Sequence, residues 1–145
     1  MNKRTIAKVL SANDVGTTGS HQAGMLIPKN PDLLSFFPTL DAAIKNPRVP
    51  LPFKDKSGNS WELVFIYYNN HFFGGTRNEY RLTCMTKYIR QEGLKRGDSV
   101  LLHREANGAY SISCRQASKS VPVQGALDSG WVSLTRSEEK KNANR

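Results

Sequence analysis

A chain of 145 residues, 38% hydrophobic and 23% charged, fits one domain around one core and excludes a generally disordered polypeptide. Its 21 lysines and arginines against 12 acidic residues leave a net charge of +9, which favours polyanionic partners and puts nucleic acid first among them. No run approaches the roughly 18 apolar residues that cross a bilayer, no signal-peptide stretch opens the chain, and no long basic amphipathic helix is visible, so a cytoplasmic protein with no membrane partner is expected.

The chain reads mainly as β. Thr5–Leu10 alternates weakly and is the first predicted strand. Ser11–Gly24 is too rich in Gly, Ser, Thr and Asn for regular structure and forms a long loop, ended by the short apolar run Met25-Leu26-Ile27 before Pro28. Pro31–Phe37 predicts a short helix closed by Pro38, and the proline-punctuated Asn46–Phe53 predicts an edge strand or an extended connection. After a turn at Ser57-Gly58-Asn59, Trp61–Tyr68 is a strong strand of aromatic and β-branched residues. Asn69–Thr76 is a second irregular segment, Arg77–Thr83 a strand, and Lys87–Glu92 a helical turn ending at Gly93. Ser99–Glu105 and Ala109–Arg115 flank Asn107-Gly108, the signature of a type I′ hairpin, and Trp131–Leu134 adds a last strand. Short strands joined by turns, without repeats, imply a barrel or sandwich over residues 1–135, with a polar tail or linker over 136–145.

Cys84 and Cys114 are too few for a disulfide scaffold and lack metal spacing, so both are expected as buried thiols. His21, His71 and His103 are scattered, and neither metal nor any other cofactor is expected.

Arg77-Asn78-Glu79-Tyr80-Arg81 is the most informative pentapeptide. In an extended strand Arg77, Glu79 and Arg81 share one face, about 6.6 Å apart. Arginine donates two hydrogen bonds to guanine O6 and N7, and glutamate accepts from the cytosine amino group. A protein that binds phosphates alone gains nothing from a carboxylate among its cations. The competing reading is a surface ladder in which the three side chains brace one another, worth about 0.5 kcal/mol per pair. Gly74-Gly75-Thr76, just upstream, allows close backbone approach to phosphates. The loop Ser11–Gly24 supplies small donors and acceptors together with His21 and is the natural second arm.

A resemblance adds to these readings. Lys8 to Gly24 resembles the first arm, and Ile66 to Thr83 the second arm, of the amino-terminal effector-binding domain of EcoRII-like (type IIE, UbaLAI-like) restriction endonucleases. Gly93-Leu94-Lys95-Arg96-Gly97-Asp98-Ser99-Val100 is similar to the leucine-x-x-glycine-aspartate signature of plant B-three DNA-binding domains. The resemblance implies a seven-stranded open pseudobarrel that grips the major groove of double-stranded DNA with one arm on each side. It places Arg77, Glu79, Arg81, Asn78, His21, Gln22, Ser20 and Asp14 against base edges, and Lys8, Asn13, Thr17, Thr18, Asn70, Gly75, Thr76 and Tyr80 against the DNA backbone. It further implies a monomeric, non-enzymatic effector domain joined to a separate nuclease domain and reading a short G·C-containing site such as CC(A/T)GG.

Two readings compete. Asp32 with Glu138-x-Lys140 formally resembles a nuclease motif, but its second half falls in the polar tail. An RNA-binding barrel would stack unpaired bases on Tyr67, Tyr68, Phe72 and Phe73, which are expected instead as core and arm supports.

Overall fold

Alternation of apolar and polar side chains builds eight strands and two short helices in the computed structural model, which describes residues 3–16, 24–117 and 129–134. The strands are β1 (Arg4–Val9), β2 (Met25–Ile27), β3 (Arg48–Lys54), β4 (Ser60–Tyr68), β5 (Glu79–Thr83), β6 (Ser99–Arg104), β7 (Tyr110–Arg115) and β8 (Trp131–Ser133). Helix α1 (Pro31–Leu34) follows β2, and α2 (Thr86–Gln91) follows β5. They form a single sheet in the order β2-β5-β4-β3-β7-β6-β1-β8, so the described residues hold eight strands where seven were expected.

The two ends of that order come together. Trp131 of β8, fully buried, donates its indole N–H to the Leu26 carbonyl of β2 at 2.9 Å, which nearly closes the sheet into a barrel. Inside lie Ile6, Phe53, Leu63, Phe65, Leu82, Leu102 and Ile112, each at most 2% exposed. α1 plugs one end. Asn30 caps it by accepting from Asp32 N, and the helix is shorter than Pro31–Phe37 because Phe36 and Phe37 leave it to pack on the core.

Three local expectations change. β3 lies inside the strand order rather than at an edge, yet β7 joins it only at Phe53 and Lys54. The bonds Asp55 N to Asn59 O and Tyr67 N to Pro47 O set the ladder phase, in which odd residues of β3 bond β4. Pro50 and Pro52 therefore turn their missing donors away from β4, where β7 is not paired. The β6–β7 hairpin is not type I′: Gly108 has φ 90° but Asn107 does not, and Gly108 N bonds Glu105 O at 2.9 Å. That is a type I turn with glycine in the left-handed region, the longer alternative for a hairpin. Cys84 is exposed, at φ 73° where the chain leaves β5, whereas Cys114 is half-buried and donates to Glu92.

Trp131→Phe keeps most of the apolar volume but orphans the Leu26 carbonyl. It should lower the unfolding free energy by about 1–3 kcal/mol in urea titration, and no change would deny the closure a role in stability.

Candidate nucleic-acid interface

β5 sits between β2 and β4, with Arg81 opposite Leu26 on one side and Ile66 on the other. Its inward residues are Leu82, fully buried, and Tyr80, whose ring stacks on Tyr67 at 4.2 Å and on Phe65 at 5.6 Å. Phe37 continues the stack on Phe65 at 4.3 Å. Burial first, then neighbouring Tyr67, pushes the Tyr80 hydroxyl above the usual tyrosine range. With Tyr80 turned inward, Glu79 and Arg81 face outward.

On that outer face the expected trio is assembled. Arg77 Nη2 donates to Glu79 Oε2 at 2.8 Å, and Arg81 Nε donates to the same oxygen at 2.5 Å. Arg77 lies just before β5, and its guanidinium stacks 3.8 Å above the Tyr68 ring. Arg81 also donates Nη1 to the Gly24 carbonyl at 2.9 Å, tying β5 to the return stem of the Ser11–Gly24 loop. Hydrogen bonds from Arg77 and then Arg81 hold the Glu79 carboxyl below the usual carboxylate range. The three side chains thus brace one another, as the competing reading of a surface ladder expects.

The loop after β4 is a built structure. Asn69, fully buried, accepts from Asn46 N at 2.6 Å through its side chain, donates its side-chain amide to the carbonyls of Ala42 and Ile44, and donates its backbone N–H to Asn46 Oδ1. A 3-10 turn over Asn70–Phe73 follows, ended by Gly74 at φ 89°. Asn70 braces it, its side chain accepting from Arg77 N at 2.6 Å and its carbonyl from Gly75 N at 2.8 Å. A Cβ at Gly75 would lie 2.7 Å from the Asn70 side chain, so a larger residue there would displace the Asn70 amide. Asn78 accepts from the Tyr67 hydroxyl at 2.8 Å, and Thr76 is exposed. Tyr67 is core and Tyr68 supports Arg77, but Phe72 and Phe73 are 57% and 44% exposed and so are not interior supports.

Of the other loop, Ser11 to Gly16 is described. Ser11 N donates to Asp14 Oδ2 while Asp14 N donates to Ser11 Oγ, a reciprocal cap. Lys8 Nζ meets Asp14 Oδ2 at 2.8 Å, with side chains only 8% and 9% exposed. The two were expected on DNA backbone and base. In this geometry they neutralise one another beneath the loop, because Lys8 lies on the inward side of β1 beside Trp131. Asn13 is exposed at the turn. Thr17, Thr18, Ser20, His21 and Gln22 lie outside the described residues.

Sequence reasoning missed Asn69, whose partners are more than twenty residues away, and the Gly24 carbonyl that fixes Arg81. It also passed over Arg48, which shares the outer face of β3 but stands between prolines. No group of three metal-ligating side chains exists among the described residues, and no described helix is long and apolar enough to cross a membrane.

The nearly closed sheet, with β4 and β5 joined by a built loop, has the B-three-like pseudobarrel fold. It aligns with the structure of an Arabidopsis FUS3–DNA complex at a TM-score of 0.58 and 23% identity, over 76% of this chain and 94% of that one. The family described as restriction endonuclease EcoRII, N-terminal, matches residues 2–139, and the chain belongs to it. The type II restriction enzyme EcoRII of Escherichia coli is 43% identical over 79 residues, covering 52% of this chain and 19% of that protein. Auxin response factor 4 of Arabidopsis thaliana is 31% identical over 130 residues, covering 88% of this chain and 15% of that protein. The chain thus spans a fifth or less of the length of both.

Two measurements check this geometry. Lys8→Met leaves the Asp14 carboxylate buried without its cation and should cost ~3 kcal/mol of stability in urea, whereas a loss under about 0.5 kcal/mol would mark a solvent-screened surface pair. Because the Glu79 pKa is depressed in the folded protein, its stabilisation is complete above the ordinary carboxylate range and is lost as pH falls through it. Glu79→Gln should flatten that acid-side decline in stability.

Proposed function

We propose that this domain binds double-stranded DNA sequence-specifically in the major groove, as the effector and target-recognition module of a cytoplasmic restriction endonuclease. Arg77, Glu79 and Arg81, with Asn78, read base edges from the β5 side, and His21, Gln22 and Ser20 read them from the other loop. Asn13, Thr17, Thr18, Asn70, Gly75 and Thr76 line the sugar–phosphate walls. Lys8 and Asp14, paired and buried, hold the first arm in place rather than touching DNA. The domain itself is a monomer without catalysis, and a separate nuclease domain in the full-length protein cuts. The paired arginines and glutamate favour a short G·C-containing site, with CC(A/T)GG the first duplex to try.

One observation carries this reading: a carboxylate on the outer face of β5 holds two arginines, Arg81 on that strand and Arg77 just before it, while the other face of the strand is locked in the core. Bracing in the free protein serves recognition, since an arginine already held by Glu79 loses less side-chain entropy on docking. Among the described residues, Arg77 keeps Nε and Nη1, and Arg81 keeps Nη2, without a recorded hydrogen bond. Those are the donors a guanine edge would take.

The exposure of Phe72 and Phe73 favours a second reading, stacking on unpaired bases. Competition between duplex DNA and single-stranded RNA separates the two, and preferential RNA binding would overturn the duplex reading. Incubation with plasmid and magnesium tests the non-enzymatic role, which cleavage would end.

Arg77→Ala or Arg81→Ala should cost about 1–3 kcal/mol on the specific duplex and far less on a scrambled one. Equal losses on both, measured by fluorescence anisotropy, would reduce the pair to phosphate contacts.

A further inference from the structure

The cross-strand register extends the outer face beyond β5. Arg81 pairs with Ile66 of β4, and Ile66 pairs with Arg48 of β3. All three project outward, because Leu82, Phe65 and Leu51 on the same strands are buried within the core. Neighbouring strands lie about 4.8 Å apart, so Arg48 is rooted about 10 Å from Arg81, across the sheet rather than along β5.

Arg48 differs from the β5 arginines in its company. It is exposed, and its recorded contact is a long one, Nε to Asn46 O at 3.4 Å. No ion pair to Arg48 is recorded among the described residues, whereas Arg77 and Arg81 share Glu79. Its root is nonetheless fixed, because Asn46 exchanges hydrogen bonds with buried Asn69 at the base of the second arm. Beside it lies a cleft of about 290 Å³, lined among others by Tyr68, Thr83 and Thr86.

We propose that Arg48 and this cleft form a phosphodiester-binding site that clamps one strand of the duplex while the β5 row reads its bases. The site rests on the DNA-binding reading above and adds a contact to it. The major groove is about 12 Å wide, so a cation about 10 Å to the side of a row seated on base edges meets the groove wall. A guanidinium without a carboxylate partner suits a phosphate, as the arginine–glutamate–arginine row suits bases. The hydroxyl of Thr86 adds a neutral donor of the kind that accompanies such contacts.

The test is the salt dependence of binding to a duplex of about 20 base pairs carrying CCTGG and to a scrambled duplex of the same composition. Arg48→Ala should weaken both by the same factor and reduce the slope of log affinity against log salt by about 1. Arg48→Lys, which keeps the charge, should restore most of that slope. The proposal is overturned if Arg48→Ala leaves affinity and slope unchanged on both duplexes, or if it weakens the CCTGG duplex alone. Arg81→Ala, measured in parallel, keeps the two readings apart. If it loses no discrimination while Arg48→Ala still lowers the slope, base reading by β5 fails and the phosphate site stands. An unchanged urea midpoint for Arg48→Ala confirms that the effect is on binding.

Discussion

The alternation of side chains along β5 governs everything on its outer face. Tyr80 and Leu82 are committed to the interior, one in an aromatic stack with Tyr67 and Phe65, the other fully buried. A slip of one residue would expose that stack and bury Glu79 and Arg81, a change the core forbids energetically. The outward row is therefore as rigid as the packing behind it. This is why a strand can present charged groups more sharply than a free loop with the same residues.

Charge inside and beneath the site is neutralised locally. Glu79 is shared by two arginines, Lys8 is matched to Asp14, and both Asp98 oxygens accept backbone N–H groups from Lys95 and Ala117. Each pairing serves a different end. The Glu79 pairing orients cations that stay partly exposed, while the Lys8 pairing and the Asp98 bonds fasten a loop and a turn to the barrel. Asn69 does for the segment after β4, with neutral groups, what Lys8 and Asp14 do for the segment after β1. Because buried polar atoms without partners are expensive, such anchors leave few alternative loop geometries. The fold thus delivers two preorganised anchors, one just after β1 and one just after β4.

Closure has a similar logic. β2 and β8 are each only three residues long and would be poor edges alone. The Trp131 indole links them and fills the space between, so the sheet ends shield one another. Arg81 then reaches the Gly24 carbonyl just before β2, which ties the outward row of β5 to the same junction.

Local chemistry in the sequence was enough to specify most strands, both helices, the irregular segment between β4 and β5 and the outward placing of Glu79 and Arg81, since periodicity and turn residues act over a few neighbours. The chain by itself also determined the cationic character that a nucleic-acid partner requires. Contacts between distant residues were beyond it. The place of β3 inside the strand order, the inward burial of Lys8 on Asp14, the exposure of Phe72 and Phe73, and the alignment of Arg48 with Arg81 were decided by tertiary structure. The reason is physical: which face of a strand meets the core, and which strand lies beside it, depends on what the rest of the barrel leaves room for, and no local pattern encodes that space.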